Sequence, residues 1–218
     1  MRILVYGAGV LGCELAHVLL QNKKNDVTLL ARGEWKERID QKGLVIRQWA
    51  QRKTTVDRVR TIASWPRGLL TTLCSWCCRP VNCRMCCLSS RPTGAPTLYS
   101  WATTPMQSRV LEAMQRPADK IAFGFQNTAG RRERDRVVSV HTGVGHDGGA
   151  VPRLRFPGTF RIRLKTAFDG TKYKLTFYSD MDEWLKCHIA FILPVCYVCY
   201  ACNGDLTRAT KQQRAAIL

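Results

Sequence analysis

The opening MRILVYGAGVLG constrains this chain more than any other stretch of it. Residues 2–6 (RILVY) are a short apolar run that reads as a strand. Gly7, Gly9 and Gly12 follow at G-x-G-x-x-G spacing, and Cys13 to Gln21 then carries Leu15, Val18 and Leu19 at helical spacing. Strand, tight turn and helix in that order leave each glycine a mechanical job. The first permits the turn, the second lets backbone approach a pyrophosphate, and the third lets helix and strand pack closely, with the phosphate at the helix N-terminus. Gly7, Ala8, Gly9, Val10, Leu11 and Gly12 are therefore the candidate cofactor-binding loop. A glycine motif alone is a weak signal, but here a second strand supports it: Asn25 and Asp26 make a turn, and Val27 to Leu30 reads as a buried strand.

The residue closing that second strand discriminates between dinucleotides. An acidic side chain there would bind ribose hydroxyls, whereas an Arg suits a 2′-phosphate, and the residue is Arg32. NADP is the expected cofactor, with Arg32 as a plain solvated loop residue the alternative. Beyond it, Glu34 to Gln41 reads as a short charged helix, and Gly43 to Arg47 and Thr54 to Arg60 as two alternating strands.

From about Ser64 to Arg116 neither the helical nor the strand period survives, and no element is placed there. Between Asp57 and Glu112 there is no acidic residue and no Lys, yet seven Arg are present, and six of the eleven Cys fall within Cys74 to Cys87. Cys74, Cys77, Cys83 and Cys86 superficially match a four-thiolate zinc site, but the loop between the pairs is short and Cys78 and Cys87 spoil the pattern, so no metal is expected. The net charge of +18 raises a competing reading, a basic Cys-rich zinc- or nucleic-acid-binding protein. Against it, the Arg residues of this segment lack the Lys and the periodic interleaving of a binding stripe. A common cause for the odd composition is translation in the wrong frame. Reading the third base of each codon with the first two of the next turns Leu73 to Leu88 into a pattern that allows a buried strand and an amphipathic helix. The same operation on Ser100 to Gln107 allows a strand ending in Gly-Asn-Asn-Pro. Residues 64–118 are accordingly expected to be aberrant, with weak stability or partial disorder.

Order returns at Ile121. Val137 to His141 and Lys172 to Tyr178 read as strands, the basic run Pro152 to Lys165 has no reading, and Met181 to Cys202 reads as one long helix. Asp180 is its expected cap, with Glu183 completing a capping-box pattern. The uncharged stretch Cys187 to Gly204 holds His188, Pro194 and Asn203, falls short of a comfortable membrane span, and is expected to be a buried helix. With no secretory signal, a cytoplasmic location without disulfides or membrane is the expectation. Lys186 is either a helix-surface lysine or a partly buried ammonium able to protonate a substrate oxygen. His188, two residues on, faces away from it and is expected to be a core or interface histidine.

GAGVLG with Arg32, the segment FQNTAGRRERDRVVSVHTG and the helix start DEWLKCHIAFILP together resemble the ketopantoate reductase (2-dehydropantoate 2-reductase) family, over roughly residues 1–62 and 120–218. The resemblance implies NADPH-dependent reduction of a 2-oxo acid in pantothenate biosynthesis, without nucleic acid, with a homodimer as the candidate assembly, and with Lys186 as the catalytic lysine. Two departures stand out: the family's Asn-containing turn is replaced by YSWATTP, and the family's longer helical domain with its catalytic Glu is cut short at Leu218. The expectation is thus α/β: a Rossmann-type parallel-sheet domain over 1–180, then the start of an all-α domain over 181–218, with activity impaired.

Overall fold

The computed structural model describes residues 1–64, 73–76, 98–101, 121–149, 158–215 and 217; side chains are described for these except at 73–76, 98–101, 121 and 141–149. The strand–turn–helix–strand opening forms as β1 (Arg2–Tyr6), α1 (Val10–Gln21) and β2 (Asp26–Leu30), with β1 and β2 parallel and Tyr6 level with Leu30. In both strands every residue after the first is buried, as a parallel strand covered on both faces requires. Next come α2 (Gly33–Lys42), β3 (Leu44–Gln48), β4 (Lys53–Asp57) and β5 (Arg60–Ile62). The stretch expected as one strand over Thr54 to Arg60 is thus two: β4 pairs antiparallel with β3, while β5 pairs parallel with β2.

Two strands form where the sequence offered no period, β6 (Leu73–Trp76) and β7 (Leu98–Trp101), which corrects the expectation of no element from Ser64 to Arg116. Both are parallel and lie mid-sheet, β6 beside β1 and β7 between β6 and β8 (Ile121–Arg132). Ladder hydrogen bonds come from the backbone, so a strand can be held between ordered neighbours without an alternating side-chain pattern. The rest of 64–118, with the expected weak stability, Cys77, Cys83, Cys86 and most of YSWATTP, lies outside the described residues. Strand β9 (Val137–Gly149) runs well past the expected end at His141, antiparallel to β8 and parallel to β3, and β10 (Leu175–Tyr178) joins β9. Part of the opaque basic run becomes α3 (Gly158–Ala167), whose Phe160, Leu164 and Ala167 are buried. The elements described after residue 180 are all helical: α4 (Met181–Ala201), a 3-10 turn at Leu206–Arg208, and α5 (Lys211–Ala215). The chain is an α/β fold, a Rossmann-like sheet of mixed direction with a helical C-terminal part.

The order of the sheet is β4-β3-β9-β8-β7-β6-β1-β2-β5. Its two edge strands, β4 and β5, are separated in sequence only by Arg58 and Val59. Three residue steps span at most about 11 Å, so the sheet must curl until its edges nearly meet. Helix α1 lies inside that curl, touching β1, β2, β3, β8 and β9. Hence Gly12 through Leu19, eight consecutive residues, are all buried, where a helix on an open sheet would bury only one stripe. Its far end is tied down by Asn22 and Asn25. Their Nδ2 groups donate to the carbonyls of Thr166 and Ala167 at 2.9 and 2.8 Å, two of the carbonyls that the end of α3 leaves without helical partners.

Helix α4 departs from its expected burial. Asp180 caps it as expected, its Oδ1 accepting from the Asp182 and Glu183 N–H groups at 2.9 and 3.0 Å. Only Met181, Leu185 and Val198 are buried, while Phe191, Leu193, Tyr197 and Tyr200 face solvent, Tyr200 being 85% exposed. The helix meets β8 through its first turns only, where Trp184 and His188 stack on one another and both pack on Phe125. With 21 residues and a mean hydropathy of 1.5, it is long and apolar enough to cross a membrane.

Candidate cofactor site

Strand β1 ends at Tyr6, and Gly7 turns the chain with φ of 109°, a backbone state that a side chain would strain. Gly9 is extended and caps α1 through backbone alone. Among the described residues no side-chain bond caps this end, no acidic residue stands in the first turn, and the first helical bond is Cys13 N–H to the Gly9 carbonyl at 3.0 Å. The N–H groups of Val10, Leu11 and Gly12 are therefore left pointing out of the helix, at the positive end of its dipole. Among the described residues a Cβ built on Gly9 meets nothing within 4 Å, so they leave the space above the turn open, and a methyl group would occupy room that a pyrophosphate needs. Gly12 is buried against the strands, which fits its expected packing role.

Arg32 closes β2 and precedes α2, exposed as its sequence position suggested. Its Nη2 donates to the Tyr6 hydroxyl at 3.3 Å. Tyr6 is the last residue of β1, so the guanidinium leans over the carboxyl end of β1, one residue from the glycine turn. An uncapped helix start and a guanidinium at the ends of adjacent parallel strands form an anion-selective cradle, and the donors present fit a dinucleotide phosphate.

Lys186 is placed otherwise. Its side chain is 62% exposed and its ammonium is paired at 2.6 Å with Asp182 one helical turn earlier, which raises its pKa through the hydrogen bond and the charge of that carboxylate. The helix-surface reading holds here and the partly buried one does not: Met181 and Leu185 take the packed face of α4, which leaves Lys186 on the solvent side. Among the described residues no contact joins Lys186 to the glycine turn. Nor do three His, Cys, Asp or Glu side chains come together among them as a metal site.

One polar cluster escaped the sequence reading. Glu14 and His17, three apart on enclosed α1, are both buried, and His17 Nδ1 meets Asp57 Oδ2 at 2.6 Å. Gln21 and Gln48 approach its Nε2 at 3.5 Å each. Burial lowers the His17 pKa, but the bond to Asp57 and the charges of Asp57 and Glu14 outweigh it and hold the pKa above the ordinary 6.5. Tyr173 is pushed up by burial and by Glu14. Cys13, wholly buried, is pushed up to about 12 and is no nucleophile. The available signal was two ionisable residues three apart in an otherwise apolar helix.

Comparison with known proteins shows what this turn and its surroundings resemble. The family model "Ketopantoate reductase PanE/ApbA" matches residues 3–65. Over that segment the chain is similar to the ketopantoate reductase PanE/ApbA family. The segment holds β1 to β5, the glycine turn and Arg32. No curated protein sequence matches the chain. Among solved structures, the 2-dehydropantoate 2-reductase of Geobacter metallireducens GS-15 superposes with a TM-score of 0.80 at 20% identity, over 99% of this chain and 71% of that one. The 2-dehydropantoate 2-reductase of Porphyromonas gingivalis W83 gives 0.73 at 14% identity, over 92% and 71%. A D-mandelate dehydrogenase solved with NADH and anilino(oxo)acetate gives 0.72 at 13% identity, over 91% and 64%. At these identities the likeness establishes the fold, and the ketopantoate reductase fold thus extends well beyond the matched segment.

Proposed function

We propose that the chain is, by descent, an NADPH-dependent reductase of a 2-oxo acid of the 2-dehydropantoate kind, acting in the cytoplasm, with its chemical step impaired. The carrying observation is the open, uncapped glycine turn with Arg32 held beside it over Tyr6. The backbone of Gly7 to Gly12 would hold the pyrophosphate, and Arg32 would pair with a 2′-phosphate as a charge-assisted contact. When bound, the dinucleotide supplies a hydride to the substrate carbonyl carbon. The role left to this chain's side chains is proton delivery to the carbonyl oxygen, and the family's counterpart for that is Lys186. An ammonium in water beside Asp182 neither orients a substrate nor excludes solvent, which supports impairment.

The test is a titration of the chain with NADPH and with NADH, followed by fluorescence. Saturable binding that prefers NADPH, a preference removed by Arg32→Ala, is the expected result. With 2-dehydropantoate added, oxidation of NADPH should be no faster than in Lys186→Met. Absence of saturable binding refutes the dinucleotide reading, and turnover that depends on Lys186 refutes impairment.

A further inference from the structure

Away from the glycine turn, the β3–β4 hairpin and the β8–β9 turn enclose a groove of about 370 Å³ lined by Arg47, Trp49, Thr54, Arg131, Glu133, Arg136 and Val138. Its floor follows from register. Arg47 stands opposite Thr54 on one side and Val138 on the other, and Val138 stands opposite Arg131. Thr54, Arg47, Val138 and Arg131 thus form one transverse row across β4, β3, β9 and β8. At about 4.8 Å between strands, the two arginines leave the backbone about 10 Å apart on either side of Val138. Trp49, two residues beyond Arg47, has its backbone pinned by a 2.8 Å bond from its N–H to the Ser139 carbonyl, yet its side chain is 65% exposed.

The charges of the groove do not cancel. Glu133 accepts from Arg131 at 2.8 Å with one oxygen and from Arg136 at 2.9 Å with the other, which uses both, and Asp135 touches Arg136 from outside the lining at 3.8 Å. Arg47 donates only to neutral groups, the Arg52 carbonyl at 2.7 Å and the Thr54 hydroxyl at 3.3 Å. Its charge has no carboxylate against it among the described residues, and guanidinium hydrogens remain for another acceptor. The lining therefore sets three guanidiniums against one carboxylate, in a chain of net charge +18.

We propose that this groove is a binding surface for single-stranded nucleic acid, with Arg47 and Arg131 on successive phosphates and the Trp49 indole stacked on a base. An open groove with separated cations and an exposed ring on a pinned backbone offers the two contacts a single strand makes without regard to sequence. A peptide of Asp and Glu alone would use the cations but has no ring for the indole, and a duplex keeps its base faces covered. The groove shares no lining residue with the dinucleotide cradle.

The experiment is fluorescence anisotropy of a labelled short oligothymidylate with the intact chain at low salt. The wild type should bind saturably, with an affinity that falls as salt rises. Trp49→Ala and Arg131→Ala, both at exposed side chains and checked by circular dichroism for retained fold, should each weaken binding by about tenfold. Trp49→Phe should keep most of it, and Lys211→Ala, at an exposed cation of the C-terminal part, should leave it unchanged. No binding at low salt overturns the proposal. So does binding that Trp49→Ala leaves intact, or that polyglutamate displaces as readily as unlabelled oligothymidylate, since either outcome makes the attraction one of charge alone.

Discussion

Replacing Asp57 by Asn probes the contact between the enclosed helix and the short link that closes the sheet around it. His17 is 7% exposed and the Asp57 side chain 22% exposed, and their 2.6 Å contact carries opposite charges when His17 is protonated. A hydrogen bond between charged partners contributes about 1.5–3 kcal/mol. Asp57 keeps some contact with water, so about 1–2 kcal/mol is expected here. The pH dependence has a definite sign. Because the folded pKa of His17 is raised above 6.5, the stabilisation is complete below about 6.5 and is lost as pH rises through the higher folded value. Asp57→Asn should therefore destabilise most at about pH 5.5 and little at about pH 9. Urea unfolding of both proteins across that range, followed by far-ultraviolet circular dichroism, measures the difference. A cost that is flat with pH, or that grows in alkali, would refute the charged pairing.

Three further outcomes can be checked in the same way. Gly130 has φ of 157°, and a Cβ there would lie 2.2 Å from the Val138 carbonyl oxygen and 3.0 Å from Ser139 Cα, both immovable backbone; Gly130→Ala should cost about 2–4 kcal/mol in urea unfolding, within the range for strain and overpacking. Asp180→Ala removes both accepted bonds at the start of α4 and should cost about 1 kcal/mol, read as a lower urea midpoint. Gly9→Ala fills the open space above the turn, so it should leave the melting temperature nearly unchanged while abolishing NADPH affinity; retained affinity would remove the glycine turn from the binding reading.

What was legible in the sequence was what neighbouring residues decide together. RILVY, GAGVLG and the Leu15, Val18, Leu19 spacing specify β1, the turn and α1 within twenty-one residues, and they form within a few residues of the expected bounds. Arg32 was readable because its position relative to the second strand is fixed by that unit, and Asp180 because a cap acts two or three residues ahead of itself. What failed depended on distant partners. Two strands in 64–116 arise from pairing with β1 and β8, which no local period can announce. The apolar run of α4 was read as burial, but composition says only that a helix could be covered, not what covers it. The contact of His17 with Asp57 joins positions forty residues apart and exists only because the sheet curls.

That curl changes what α1 can report. A helix resting on an open sheet can fray toward solvent by itself, so its amide protons trade with deuterated water through small local openings. Inside a sheet whose edges are joined through Arg58 and Val59, α1 has no such local route beyond its half-buried ends. Its interior amides should exchange only when the whole sheet opens, at the rate of global unfolding. A ligand held on the N-terminus of α1 should therefore slow exchange across β1, β2 and β3 as well.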